Sequence, residues 1–304
     1  MRKVLSIVIP AYNVERYLSR CLDSVLYDDD VRNDLDVIIV NDGSKDGTLK
    51  VAKRYEEEYP AIVKVVDKRN GGHGSGINAG IKKAKGKYFR VLDADDWVNI
   101  DDFSKYVKAL RETETDIVIT SYKQDLLYKE KEIEFSFEPT KDSIENVKKL
   151  VGNDDVFFLF SMHSMTVKLE RLKEVWEDLY EKTFYVDNQY VVEVLECAKE
   201  YEVLPFDIYR YFIGRPEQSM SAGTFFKRRK DHERVIRWLI GKYKNTENDN
   251  LKTFMKRQIS MMLRTHYELY KAQKKLTVRQ KKEIRDLLSF VEDEAVELLE
   301  MIKK

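Results

Sequence analysis

The most informative stretch of the sequence is Lys87-Tyr88-Phe89-Arg90-Val91-Leu92-Asp93-Ala94-Asp95-Asp96-Trp97. Its apolar first half predicts a short strand, and three carboxylates follow it within four positions. Strand side chains alternate between two faces, so Asp93 and Asp95 point the same way if the extended backbone continues through them. Neighbouring carboxylates raise one another's pKa unless a positive charge lies between them. Mg²⁺ or Mn²⁺ would supply that charge; a solvated acidic loop that caps the next helix is the alternative.

Apolar strands and amphipathic helices alternate over the first 120 residues. Strands are predicted at 5–9, 36–40, 62–66 and 87–93, with a helix after each of the first three. This alternation is typical of an α/β fold with an open, mostly parallel sheet and helices on both faces. Ligands bind such sheets beyond the carboxyl ends of the strands. The segments expected there are Pro10-Ala11-Tyr12-Asn13, Asn41 to Thr48, Arg69 to Gly80 and Asp93 to Asp96.

The remainder of the chain predicts two further parts. Strands are expected at 116–122, 129–137 and 203–212, and residues 142–200 are expected to be mostly helical. From about Phe225 the pattern is helical and highly charged, without proline. We therefore predict one domain over residues 1–223, with halves at 1–120 and 121–223, and an all-helical extension over 224–304.

Charge and composition exclude several classes of protein. The chain has 304 residues, 43% of them hydrophobic, and a net charge of zero, so no global charge attracts it to nucleic acid or membranes. The charge is divided, with a balance of −9 over residues 1–223 and +9 over 224–304. Cys21 and Cys197 predict free thiols in a reducing compartment. The apolar start is too short for a signal peptide, and no apolar run would span a bilayer, so we expect a cytoplasmic protein.

Five segments occur in the order and spacing of a known family. They are Ser6 to Pro10 with Tyr12-Asn13, Val40-Asn41-Asp42-Gly43-Ser44 with Asp46-Gly47-Thr48, Asn70-Gly71-Gly72 with Asn78 and Gly80, Ala84 to Tyr88, and Leu92 to Asp96. Through them the chain resembles the family 2 glycosyltransferases, which have the GT-A fold. Weaker similarities extend to Val186-Asp187 and to Arg215. The signature of polymerising members is absent, so the resemblance implies a non-processive, inverting enzyme of bacterial type.

The resemblance implies a nucleotide-diphosphate sugar donor, often a UDP-sugar, and a glycan, glycolipid or glycoprotein acceptor. It assigns Asp42 to the base or ribose, and Asp93 and Asp95 to Mn²⁺ or Mg²⁺ and the ribose, with Asp95 in direct metal contact. A cation there would stabilise the charge of the leaving diphosphate. The donor-binding residues implied in full are Pro10, Tyr12, Asp42, Asn70, Gly71, Gly72, His73, Asn78, Asp93, Ala94, Asp95 and Arg215.

Two positions bear on the chemistry. Asp187 matches the acid that takes the proton from the acceptor hydroxyl, and the alternative is that it caps the helix beginning at Asn188. The family often has Ala-Arg-Asn where this chain has Gly76-Ile77-Asn78, so any phosphate contact from that arginine must come from elsewhere, and Arg69, His73 and Arg215 are candidates. His163 is expected to be a packed side chain, and not an acceptor contact.

Two other functions and several partners stay open from the sequence. A sugar-phosphate nucleotidyltransferase has a similar sheet and metal-binding acids, but a glycine-rich loop should then follow the first strand, and Pro10 to Asn13 contain no glycine. A non-catalytic nucleotide-sugar-binding scaffold would not need the candidate base. In the helical extension, Lys227 to Lys230 and Lys281-Lys282 indicate a solvated face, contact with a polyanionic acceptor, or peripheral contact with anionic lipid at the inner face of the membrane. Its apolar stripes pack on the catalytic domain or form a homodimer.

Overall fold

The computed structural model describes residues 3–126, 131–146, 155–214 and 222–298. The chain forms two compact units, one of Met1–Ile144 with Asp154–Pro216 and the other of Glu145–Asn153 with Glu217–Lys304. Arg215 lies outside the described residues. Both cysteines are free thiols, as predicted.

The first unit contains ten described strands and eight described α-helices. The strands are β1 (Leu5–Ala11), β2 (Leu35–Asn41), β3 (Val63–Asp67), β4 (Tyr88–Val91), β5 (Trp97–Val98), β6 (Ile117–Leu126), β7 (Lys131–Phe135), β8 (Thr140–Ser143), β9 (Met165–Lys168) and β10 (Glu200–Ile213). The helices are α1 (Glu15–Leu26), α2 (Asp29–Arg32), α3 (Thr48–Glu58), α4 (His73–Lys83), α5 (Ile100–Glu112), α6 (Asp155–Leu159), α7 (Leu169–Val175) and α8 (Asp187–Cys197). A 3-10 turn at Ile144–Asn146 includes the last residue of the segment Met1–Ile144 and the first two of Glu145–Asn153.

The described strands form one sheet in the order β3-β2-β1-β4-β9-β6-β10-β5, with β7 beside β6 and β8 beside β10. The part from β3 to β4 is parallel, as the alternating pattern predicted. Beyond β4 the sheet is mixed, because β9 runs antiparallel to both β4 and β6. The α/β class is confirmed, but the expectation that residues 142–200 are mostly helical missed β9, which occupies a central place in the sheet.

Helices cover both faces of the parallel part. The side chains of Ile7 and Ile9 on β1 join a buried cluster with apolar residues of α1, α3 and α5. Val8 points to the other face, where α4 packs so closely that a Cβ on Gly80 would lie 2.3 Å from Val8 Cγ1. Because β1 and β2 are buried on both faces, their carboxyl ends are held rigidly, and the segments that follow them start from fixed positions.

The second unit is helical in its described residues. It contains α9 (Ala222–Lys227), α10 (Arg229–Asn245), α11 (Asp249–Lys271), α12 (Val278–Ala295) and a 3-10 turn at Val296–Leu298. Its core comprises Val235, Leu239, Phe254, Ile259 and Val291, all of them buried. The helical pattern predicted after residue 225 is therefore present. Among the helices the structure describes, none is both long and apolar enough to cross a bilayer.

Candidate active site

The carboxylate of Asp42 orders a glycine loop at the end of β2. Asp42 is 3% exposed, and its Oδ1 and Oδ2 accept hydrogen bonds from Gly71 N at 2.8 Å and Gly72 N at 2.7 Å. Lys68 Nζ lies 2.9 Å from Oδ1. A buried carboxylate is costly without such donors, so these contacts satisfy Asp42 and fix the loop. A contact between Asp42 and a nucleotide base would have to be made beside these bonds, and it stays a prediction.

Gly72 has a backbone conformation that favours glycine. Its φ is +84°, in the left-handed region, and a Cβ there would lie 3.2 Å from Lys182 N. Lys182 N donates a hydrogen bond to Gly71 O at 2.5 Å. The glycine loop therefore contacts the backbone of the segment that leads to α8, with no room for a side chain between them.

Asn78 attaches the same segment to α4. The side chain is buried, Nδ2 donates to Leu179 O at 2.9 Å, and Oδ1 accepts from Leu179 N at 2.9 Å. The sequence assigned Asn78 to the donor. In the structure both polar ends of its amide bond the backbone of Leu179, so Asn78 positions the chain just before Asp187.

The backbone turns sharply after β4. Asp96 N donates to Asp93 O at 3.0 Å, so the extended conformation ends and the expected alternation of Asp93 and Asp95 does not occur. Asp96 is fully buried, and its carboxylate accepts from Tyr209 Oη at 2.6 Å and Phe212 N at 2.8 Å. Burial, with the neighbouring charges of Asp95 and Asp93, raises the pKa of Asp96 well above its usual range. The turn thus places one carboxylate inside the protein and leaves two half-buried.

His73 and Asp187 lie close to this turn. His73 Nε2 is 2.8 Å from Asp93 Oδ1. Burial lowers the pKa of His73, but the Asp93 carboxylate outweighs it, and the net pKa is raised. Asp187 begins α8. Burial raises the pKa of Asp187, and the nearby charge of His73 lowers it in part. Hydrogen bonds from the backbone N–H groups of Asp187 and Asn188 also act to lower the pKa of its carboxyl, so the alternative role at the helix N-terminus stays open.

His163 is packed among aromatic rings, as the sequence predicted. Its ring stacks on Tyr211 at 4.4 Å and meets the edge of Tyr209 at 5.0 Å. The fully buried Arg90 donates a short hydrogen bond to His163 O. Burial lowers the pKa of His163 to about 4, so its imidazole is neutral at physiological pH. Neutral imidazole is the form that binds metal ions.

Ligand atoms of Asp93, Asp96 and His163 lie within 4.8 Å of one another. Two carboxylate oxygens and one imidazole nitrogen form a donor set that suits Mn²⁺, and the residues present therefore fit a divalent cation. Asp95 is half-buried beside this group, and its backbone O accepts from Arg20 Nη2 at 3.0 Å. Arg20 stacks on Trp97, 3.6 Å from the ring centre.

The structure brings most of the sequence-predicted residues to one edge of the sheet. Pro10 lies near the end of β1, Tyr12 follows β1, Asp42 follows β2, and the Asp93 turn follows β4. Tyr12 is 46% exposed, whereas Ala94 is buried. Asn70 Nδ2 donates to Asp42 O at 2.9 Å, so Asn70 also supports the loop.

The sequence did not indicate the roles of three residues at this edge. Lys68 and Tyr209 are hydrogen-bond partners of aspartates, and His163 is a potential metal ligand. Lys68 and Tyr209 each bond an aspartate far away in the sequence. Asp96, the third acid of the stretch from Lys87 to Trp97, was the one signal that could have indicated such partners. If its carboxylate is buried, hydrogen-bond donors must come from elsewhere in the chain.

Comparison with known proteins identifies the relatives of this chain. Residues 6–154 match the family model "Glycosyl transferase family 2". The "Uncharacterized glycosyltransferase EpsJ" of Bacillus subtilis (strain 168) is 36% identical over 118 residues, which cover 39% of this chain and 33% of EpsJ. The chain thus spans about a third of the length of that relative.

Two solved structures share the fold. The crystal structure of S. aureus TarS 1-349 in complex with UDP superposes with a TM-score of 0.73 at 17% identity, covering 98% of this chain and 83% of that one. TarS has also been solved in complex with UDP-GlcNAc. The mannosyltransferase PcManGT from Pyrobaculum calidifontis, in complex with GDP-Man and Mn²⁺, gives a TM-score of 0.56 at 15% identity, covering 96% of this chain and 81% of that one. These matches show the GT-A fold for this chain.

Proposed function

Because the chain belongs to glycosyl transferase family 2 through its residues 6–154, we propose that it transfers a sugar from a nucleotide-diphosphate donor to an acceptor hydroxyl with inversion. One observation carries this proposal. Asp93, His73 and Asp187 come together beyond the carboxyl ends of the parallel strands, where Asp93 and His73 are 2.8 Å apart and Asp187 interacts electrostatically with both. An acid with a raised pKa beside a charged, half-buried cluster is a suitable general base.

The donor proposed is a UDP-sugar, because the protein with the higher structural similarity, TarS, was solved with UDP and UDP-GlcNAc. The exposed ring of Tyr12 and the loop fixed by Asp42 would form the walls of the nucleotide site. Asn70, Gly71 and Gly72 lie in that loop, and the imidazole of His73, whose pKa is raised, would offer a positive charge to the diphosphate. Arg215 stays a candidate for a second phosphate contact.

Asp93 and Asp95 are the residues proposed to hold a divalent cation, and Asp96 and His163 are potential metal ligands beside them. When bound, Mn²⁺ or Mg²⁺ would neutralise charge on the departing diphosphate. Tyr209 and Phe212 fix Asp96 by hydrogen bonds, and the stacked ring of Tyr211 fixes His163. These contacts fix the metal-ligating atoms of Asp96 and His163 before a cation binds, which lowers the free-energy cost of rearranging these side chains on binding.

Asp187 is the proposed base. The acceptor oxygen attacks the anomeric carbon from the face opposite the diphosphate, the bond from that carbon to the phosphate oxygen breaks, and the hydroxyl proton goes to Asp187. A carboxylate with a raised pKa holds that proton more firmly than an ordinary one, and such a base contributes about 10²–10⁴ in rate. The acceptor proposed is a glycan, glycolipid or glycoprotein, and homodimerisation through the helical unit stays a prediction.

The proposal is tested by incubating the full chain with Mn²⁺ and a panel of nucleotide sugars and measuring nucleotide release. We expect UDP release from one or more UDP-sugars, and its loss in Asp187→Asn. Asp178→Asn is the matched control, because Asp178 is an exposed acid in the segment before α8 whose carboxylate pairs with the exposed Lys82 at 2.7 Å.

Two results would overturn the proposal. Pyrophosphate release from UTP and a sugar phosphate would identify a nucleotidyltransferase. Saturable binding of UDP-sugars without turnover, under all acceptors and metals tested, would identify a nucleotide-sugar-binding scaffold.

A further inference from the structure

Basic residues are concentrated in the turn between α11 and α12 and in the first half of α12. Residues 271–285, here called the basic turn, contain seven lysines and arginines and one glutamate. Lys281, Lys282 and Arg285 lie three, four and seven positions after Val278, so the four residues share one face of α12. Leu287 and Val291, on the other side of the helix, are buried in the core of the unit.

Four lysines of the basic turn have no acidic partner. Lys274, Lys275, Lys281 and Lys282 are exposed, and none forms an ion pair within the described part of the chain. The other basic run that the sequence indicated is different. Arg229 pairs with the half-buried Glu283 at 2.9 Å, and Lys230 reaches the same carboxylate at 3.5 Å. Within the basic turn, Lys271 pairs with Glu268 at 3.5 Å and Arg279 with Glu283 at 3.3 Å, so the charges directed to solvent are those of the four lysines.

An apolar centre lies among these charges. Val278 is 84% exposed, the highest exposure of any large hydrophobic residue in the described chain. Together with Lys281, Ile284 and Arg285 it lines an open depression of about 350 Å³. Val278 is not buried by the fold, and Lys281 and Lys282 form no ion pair within the described residues, so both features indicate a partner outside the fold.

We propose that the basic turn is a membrane-contact surface, which places Val278 in the interface of a bilayer and its lysines against anionic lipid phosphates. Charge complementarity selects an anionic partner. The exposed valine and the depression beside Ile284 distinguish a lipid surface from a soluble polyanion, which would gain nothing from apolar side chains. An apolar residue flanked by cations is the arrangement by which surface helices enter the boundary between head groups and acyl chains.

The test is co-sedimentation of the full chain with vesicles of phosphatidylcholine, alone or mixed with phosphatidylglycerol, at low and high salt. We expect binding only to the anionic vesicles and its loss at high salt. The double variant K281E/K282E should bind roughly tenfold or more weakly, because each lysine near an anionic surface contributes several-fold. K83E/K85E, which changes the same charge at exposed lysines of the other unit, should bind as the wild type does.

Val278→Ser tests the apolar contact without changing charge, and it should weaken vesicle binding several-fold. Circular dichroism of each variant confirms that it is folded. Equal binding to both kinds of vesicle, no binding to either, or equal loss in K83E/K85E would overturn the proposal. It would also be overturned if Val278→Ser bound as the wild type does while soluble polyphosphate bound the protein more tightly than vesicles, since the surface would then serve a polyanion.

Discussion

The amide of Asn78 makes both of its hydrogen bonds to the backbone of Leu179, donating from Nδ2 at 2.9 Å and accepting at Oδ1 at 2.9 Å. The two residues are 101 positions apart in the sequence. This contact ties the helix after the glycine loop to the segment that presents Asp187, and so connects the proposed donor site with the proposed base.

Asn78→Ala should lower both stability and turnover. The substitution leaves the N–H and C=O of Leu179 without partners in a buried place, which costs roughly 1–3 kcal/mol in the free energy of unfolding. Turnover should fall further than the affinity for UDP, because the segment carrying Asp187 loses its anchor. Urea denaturation and steady-state kinetics measure the two effects, with the exposed Asn33→Ala as control. Unchanged stability would show that the contact is not formed in solution.

Asp42→Asn should loosen the glycine loop. An amide replaces one of the oxygens that accept from Gly71 N and Gly72 N, and it cannot pair as strongly with Lys68. We expect a loss of about 1–3 kcal/mol in the free energy of unfolding together with weaker binding of UDP by calorimetry. If stability is lost and UDP affinity is kept, Asp42 orders the loop without touching the nucleotide.

The raised pKa of Asp187 predicts the pH dependence of turnover. A base must be deprotonated, so kcat/KM should rise with pH through the raised pKa of Asp187 and then level. Asp187→Asn should abolish this rise and lower kcat by about 10²–10⁴. A flat profile in the wild type would contradict the assignment.

The raised pKa of Asp187 also predicts how the stability of the folded protein depends on pH. The fold favours protonated Asp187, so the stability it contributes is lost as pH rises from the ordinary carboxyl pKa through the raised one. Asp187→Asn removes this penalty, and its melting temperature at neutral pH should equal or exceed that of the wild type. A clearly lower melting temperature would indicate a structural role in place of a catalytic one.

Measurements of Mn²⁺ affinity in variants distinguish the roles of Asp93, Asp95 and His163. We expect Asp93→Asn and Asp95→Asn each to weaken Mn²⁺ binding by about 10–100-fold in calorimetry or electron paramagnetic resonance. His163→Phe keeps the stack on Tyr211 and removes the ring nitrogens, so it tests ligation apart from packing. A loss of affinity in His163→Phe would make His163 a ligand, whereas wild-type affinity would confine it to packing.

Local patterns predicted the parallel half of the sheet. β1 and β2 are largely apolar runs that are buried on both faces, and polar turn residues follow them, Tyr12-Asn13 after β1 and Asp42-Gly43 after β2. β9 was missed because Met165 to Lys168 is a four-residue strand inside a helical pattern, and its place between β4 and β6 depends on partners far away in the sequence.

The sequence predicted which edge of the sheet carries the candidate site residues, but it did not predict the contacts among them. Residues at the ends of β1, β2 and β4 were found because parallel strands bring their carboxyl ends to one edge. The roles of Asn78, Tyr209 and Lys68 depend on side chains meeting across the fold, which no spacing encodes. The sequence predicted that the strand continues through Asp93 and Asp95, but the structure has a turn at Asp93 to Asp96. Hydrogen bonds from Tyr209 and Phe212 stabilise Asp96 inside the protein and so favour the turn.

The central claim is that the Asp93 turn and the glycine loop together hold the diphosphate of a nucleotide sugar. The most direct measurement is a crystal soaked with Mn²⁺ and UDP, with anomalous diffraction to locate the metal. We predict an anomalous peak beside Asp93 and Asp95 and a UDP diphosphate between it and the loop at Gly71 and Gly72. A crystal that takes up UDP or Mn²⁺ elsewhere, and leaves this edge of the sheet without either, would contradict the claim.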